Sequence, residues 1–253
     1  MARRITLEVC VDGPDGLMAA ISAGADRIEL CGALPLDGLT PSPGLMRLAA
    51  AQKVPSWPMI HPRPGGYVYS PADVDLMLRE IDAVRAAGLP GIVIGAQTAS
   101  GGLDGAVLRR LADHAAGQGL GLSLHRVIDI VADPAEALEM AMALGFVRVL
   151  TSGGRPTAAD GADAIAGLVR HAAGRISIMP GCGVSPANAV EILRRTGATE
   201  IHGSFGRPAT PRLSADALQD RAVRFGFLQP TWRETDAAAV AAVRRALDAE
   251  AGV

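Results

Sequence analysis

Short runs of β-branched and aliphatic residues alternate along the chain with longer stretches where alanine and leucine recur at helical period, the pattern of strands followed by helices. The strand-like runs are ITLEVCV at 5–11, DRIEL at 26–30, PMIHPR at 58–63, GIVIGA at 91–96, LGLSLHR at 120–126, RVLTS at 148–152, RISIMPG at 175–181 and TEIHGS at 199–204. Helices are predicted at 14–23, 43–52, 71–87, 103–118, 134–144, 157–173, 186–196 and 236–250. Ser70-Pro71, Asp133-Pro134 and Ser185-Pro186 put a capping oxygen before a first-turn proline. Gly24, Gly88, Gly119, Gly145 and Gly197 follow helical stretches as C-cap glycines do.

Such βα units form either an open doubly wound sheet or a closed barrel. No strand leads into a G-x-G-x-x-G fingerprint, and Gly181-Cys182-Gly183 lacks the third glycine, so no nucleotide cofactor is expected. The expected fold is an α/β TIM (β/α)8 barrel formed by residues 1–253 as a single domain, with an irregular insertion at 205–235 between the eighth strand and the last helix.

Composition narrows the function classes. The 253 residues carry 24 Lys plus Arg against 26 Asp plus Glu, and aromatic residues make up 3%, so neither a basic surface nor a stacking platform for nucleic acid is present. No apolar run reaches the length of a membrane span and the N-terminus lacks a signal-peptide pattern, so a cytoplasmic protein with no membrane partner is expected. Cys10, Cys31 and Cys182 are odd in number and far apart, which argues for reduced thiols.

Period two sorts the strand residues into faces. Leu7, Val9 and Val11 share one face of the first strand, and Glu8, Cys10 and Asp12 the other; Ile28 and Leu30 oppose Glu29 and Cys31 in the second. The same parity turns His61 and Arg63, Ser123 and His125, and His202 and Ser204 to the interior of their strands. Arg126, Thr151, Ser152, Gly181 and Gly183 follow on the next loops, at the C-terminal face where barrel active sites form.

These residues admit several readings. A strand-end histidine can be a hydrogen-bonded core residue, and Glu8 or Glu29 can pair internally with Arg63 or Arg126. In an enzyme, Glu8, Glu29, His125 and Asp129 are the acid–base candidates. Arg63, Arg126, Ser152, Gly181, Gly183, His202, Ser204 and Arg207 are then the candidates for holding a small anionic or carbohydrate-like substrate. The loops at Gly181–Pro186 and Gly203–Arg207 match phosphate-binding positions of barrels, and equally serve as tight small-residue turns.

The runs LEVCVDG, GADRIELC, DGLTPSPG, HPRPGGYVYS, LHRVID, RVLTSG and IMPGCGV, followed by ATEIHGS, resemble the CutC family, the copper homeostasis proteins, over residues 5 to about 207. Two departures stand out: Cys182 occupies a position where the family's run carries glycine, and HPRPGG replaces RPRGG. The resemblance implies a TIM-type barrel in the cytoplasm, self-association with a homodimer favoured, and copper(I) held through the strand-end thiols, here Cys10 and Cys31. Two thiolates on adjacent strands suit a soft, near-linear ion. The expected partner is thus a metal or small-molecule ligand, in a copper-binding protein or in a barrel enzyme.

Overall fold

The computed structural model describes residues 4–209, 216–227 and 232–252. In chain order it runs β1 (Thr6–Val11), α1 (Pro14–Ser22), β2 (Arg27–Leu30), α2 (Pro43–Ala50), β3 (Ser56–Pro58), α3 (Pro71–Ala87), β4 (Gly91–Ile94), α4 (Gly105–Ala116), β5 (Gly121–Leu124) and α5 (Pro134–Ala143). It continues through β6 (Arg148–Thr151), α6 (Ala162–Ala172), β7 (Ser177–Pro180), α7 (Ala189–Thr196), β8 (Glu200–Gly203), β9 (Gly206–Pro208), α8 (Asp216–Arg224), β10 (Arg233–Thr235) and α9 (Ala237–Ala251). All pairings among β1 to β8 are parallel. One ladder runs β3-β2-β1-β8 and the other β4-β5-β6-β7. A parallel bridge between Met59 and Val93 joins them at one seam, and β7 lies beside β8 at the other. This is the expected (β/α)8 barrel. Among the described residues, no helix is long and apolar enough to cross a membrane.

Caps set the helix starts. Ser70 and Asp73 form a reciprocal capping box on α3, and Asp104, Asp133 and Asp236 cap α4, α5 and α9. The predicted helix-ending glycines all adopt left-handed φ. Two starts differ from expectation. α7 begins at Ala189, because Ser185 N–H donates to Asn188 Oδ1 in a preceding turn, and α6 begins at Ala162 rather than near 157. The third strand begins at Ser56, ahead of the predicted 58, because proline at 58 reads as a strand breaker but here closes the strand. The predicted insertion contains β9, α8 and β10, and β9 pairs with β10 as an antiparallel ribbon; residues 210–215 and 228–231 lie outside the described residues.

The strand faces divide the interior into two regions. Leu7, Val9, Val11, Ile28, Leu30, Ile92, Ile94 and Ile201 face outward and join the main apolar core with the helices. Inside the barrel, Cys31, Trp57, Met59 and Val93 form a small separate cluster. Trp57 fits because β4 and β5 begin with Gly91 and Gly121: a Cβ at either would lie 2.5 Å from its ring. The Arg148 guanidinium lies 4.2 Å over the same ring.

Below the open end, the interior holds a buried ionic network. Arg27 is ion-paired to both Glu8 and Glu200, and Arg148 Nε lies 3.6 Å from Glu200. Parity places all four inside: Arg27 is two residues before Glu29, and Glu200 two before His202. Burial disfavours the charges of Glu8, Arg27 and Arg148, and the Arg27–Glu8 pair outweighs it for both of its members.

Two stability outcomes follow. Arg27→Met strands Glu8 without its buried cation and is expected to cost about 3–5 kcal/mol in urea unfolding at neutral pH; a loss below about 1 kcal/mol contradicts the network. Gly121→Ala drives a methyl into Trp57 and is expected to cost about 1–3 kcal/mol, measured the same way; an unchanged unfolding midpoint contradicts the close fit.

Candidate functional site

One residue pair up from the ionic network, parallel register aligns Glu8 with His202 and Cys10 with Glu29. The Cys10 thiol, a Glu29 carboxylate oxygen and a His202 ring nitrogen lie within 4.8 Å of one another, all buried. His202 Nδ1 is 2.8 Å from Glu8 Oε1, and Nε2 is 3.7 Å from Glu29 Oε2. Cys31 Sγ donates toward Glu29 at 3.8 Å. Gly181 on the neighbouring β7 end fits closely here, since a Cβ there would sit 2.5 Å from Leu150 and 3.3 Å from His202.

The electrostatics run as a chain from the network below. Burial would raise the Glu8 carboxyl, but Arg27, His202 and Arg148 outweigh it and hold Glu8 far below the usual carboxylate range. Burial works against a charged His202, yet Glu29, Cys10 and Glu8 together hold the imidazolium well above 6.5. Glu29 is lifted to about 7, mainly by burial and against the pull of His202. Burial also raises the Cys10 thiol, with His202 opposing, and the Cys31 thiol, with Glu29 adding to the rise. At neutral pH the cluster therefore holds an ionised Glu8, a protonated His202, two thiols and a Glu29 drawn by burial toward its neutral form.

Two adjoining cavities open onto Cys10. The larger, about 670 Å³, lies between the barrel mouth and the β9–β10 ribbon and includes Asp12, Leu34, Trp232 and Glu234. The smaller, about 450 Å³, lies between the β7 and β8 ends and includes Arg126, Gly183, His202, Ser204 and Arg233.

The remaining candidates fall elsewhere. Burial and the neighbouring His61 push His125 down to about 3, so it stays neutral at physiological pH instead of exchanging a proton. Its Nδ1 accepts from Val127 N–H, and its ring packs on Tyr67 at 4.3 Å, away from both cavities. Asp129 accepts from Thr151 Oγ1, Ser152 N–H and Oγ, Gly154 N–H and Arg126 Nε; its lone pairs are occupied in holding the β6 turn and orienting Arg126. Ser152 is the other anchor of Arg126, through Nη2 at 2.9 Å.

Arg63 pairs with Asp73 at the start of α3, and Arg207 with Glu234 across the ribbon, so neither arginine reaches Glu8 or Glu29. Arg126 does not reach them either, its ion pair being with Asp129. The partner of Glu8 is Arg27, a residue that extending strand parity by one more step would have found. Arg233 and Trp232 carry no such signal, because they enter the cavities through an irregular ribbon.

The sequence matches the model of the CutC family over residues 5–207, the span from β1 to β9. A CutC family protein of Caulobacter vibrioides is 54% identical over 251 residues, covering 98% of this chain and 99% of that one. Another from Rhizobium meliloti is 52% identical over 249 residues, 98% of each chain, so both likenesses extend through the segment beyond 207. The crystal structure of CutC from Streptococcus agalactiae superposes with a TM-score of 0.75 at 29% identity, covering 79% of this chain and 98% of that one. Phosphoribosylanthranilate isomerase of Thermotoga maritima, at 9% identity and a TM-score of 0.58, shares the barrel fold alone. Sequence, full-length relatives and barrel geometry agree that the chain belongs to the CutC family.

Proposed function

We propose that this protein takes part in copper handling by accepting one Cu(I) ion, as cargo, at the open end of the barrel. The observation that carries this reading is the buried meeting of the Cys10 thiol, the His202 imidazole and the Glu29 carboxylate within 4.8 Å. The donor chemistry fits: thiolate and imidazole are the ligands that Cu(I) favours, and a carboxylate beside them balances charge. Glu8, on the His202 Nδ1 side, supplies the outer carboxylate that orients a metal-binding imidazole. The Streptococcus agalactiae relative is described as a copper homeostasis protein, which supports the same role. Cys31, turned toward Glu29, stands as a reserve thiol rather than a member of this three-donor group.

A second reading has its own observation. The two cavities at Cys10 are far larger than an ion requires, and a His202 imidazolium beside a carboxyl at about 7 is an acid–base pair. In this reading the barrel is an enzyme for a small organic substrate, with His202 as acid and Glu29 as base. Its test is native mass spectrometry of the purified protein, where a retained organic ligand released on denaturation supports it and a ligand-free chain contradicts it.

The copper reading predicts one Cu(I) per chain in a competition titration with a chromophoric chelator under reducing conditions. Cys10→Ser is expected to weaken binding by about 100-fold, and Cys31→Ser by less than about tenfold. Because His202 and Cys10 hold protons that the ion displaces, affinity rises with pH, on the order of 100-fold between pH 6 and 7. Equal affinity in wild type and Cys10→Ser, or affinity independent of pH, contradicts the assignment.

A further inference from the structure

The smaller cavity has a composition that the copper reading leaves unused. Among the described residues that line it, Arg126, Arg233 and His202 are basic and none is aspartate or glutamate, in a chain whose formal net charge is −2. Its two arginines are positioned. Arg126 is fixed through Nε to Asp129 at 2.8 Å and through Nη2 to Ser152 at 2.9 Å, and Arg233 is anchored through Nη2 to the Gly206 carbonyl.

The wall opposite Arg126 is also shaped. Cys182 and Gly183 both take left-handed φ, at 77° and 70°, and Asn188 fixes the following turn by accepting from Ser185 N–H and donating to the Gly183 carbonyl. A Cβ at Gly183 would lie 2.9 Å from Thr157, so the loop is closed against the β6–α6 segment behind it. Ser185 and Ser204 add hydroxyls on the two walls. Two guanidinium groups and two hydroxyl residues lining one cavity are a donor set suited to a tetrahedral oxyanion.

The two cavities share Cys10, Ser204, Gly206 and Arg233. Beyond that shared edge the larger one changes character, offering the Trp232 and Leu34 surfaces with the carboxylates of Asp12 and Glu234. Those carboxylates repel an anion but accept hydrogen bonds from hydroxyls.

We propose that the smaller cavity binds the phosphate group of a small phosphorylated organic molecule, whose hydroxyl-bearing body lies in the larger cavity against Trp232. The bound phosphate is held by Arg126 and Arg233, and the rest of the molecule passes Cys10. The site does not depend on whether Cys10 takes a metal.

Isothermal titration of the full chain at low ionic strength, with inorganic phosphate, glycerol 3-phosphate and glycerol as probes, tests this. The expected result is saturable binding of one phosphate per chain, tighter for glycerol 3-phosphate, with none for glycerol. Arg126→Gln and Arg233→Gln each weaken it by about tenfold or more. Arg175→Gln, whose arginine is paired with Glu139 outside both cavities, leaves it within about twofold. Cys10→Ser also retains phosphate binding, which separates this outcome from that of copper. In the wild-type protein, phosphate shifts the amide resonances of Gly183, Val184 and Ser204, a readout independent of how the variants fold. Absence of saturable phosphate binding, wild-type affinity retained in both arginine variants, loss in Cys10→Ser, or unmoved amides at these three residues would overturn the proposal.

Discussion

The ion pairs of Arg27 with Glu8 and Glu200, sealed inside the barrel, set the condition for the residues above them. A guanidinium in that position keeps Glu8 ionised against the penalty of burial. An ionised Glu8 beside Nδ1, together with Glu29 and Cys10, keeps a proton on His202. The imidazolium in turn restrains the rise of Glu29 and of the Cys10 thiol. The site is thus the upper end of a column of alternating charge that begins where strand interiors are ordinarily apolar. Arg148, stacked on Trp57 between the glycine-led strands β4 and β5, fills the other half of that lower layer.

The proposed soft-cation site and the proposed anion site draw on different parts of this column. The cluster around Cys10 offers a thiol and an imidazole whose protons a metal would displace. A few residues along, past His202, the lining turns basic at Arg126 and Arg233. Asp129 has a positioning part in that change, since its carboxylate is committed to the β6 turn and to Arg126. The family model ends where the ribbon begins, yet the ribbon supplies Trp232 and Arg233 to the cavities.

Much of the barrel was legible because parallel strands obey a strict two-residue period. That period alone puts Glu8, Cys10, Glu29 and His202 on the interior, and the structure brings those four together. The same rule applied one step earlier on β2, β6 and β8 reaches Arg27, Arg148 and Glu200, which a reading centred on strand ends passes over. Other pairings were illegible: Arg63 to Asp73 depends on loop conformation, Arg207 to Glu234 on the register of a ribbon that no strand pattern announces, and Arg126 to Asp129 on a short helical turn directly after β5. His125 shows a different limit. It follows directly on β5, where burial beside His61 and Tyr67 removes its charge, and burial depth is not written in a single strand's pattern.

The protonation of His202 is the point at which this charge column can be read directly. Nitrogen-15 NMR of the imidazole, followed from pH 5 to 9 in the metal-free protein, reports whether one or both ring nitrogens carry hydrogen. An imidazolium that persists through pH 7, with both nitrogens protonated between Glu8 and Glu29, is the expected result. A His202 that titrates at or below 6.5, as a free histidine does, would contradict it.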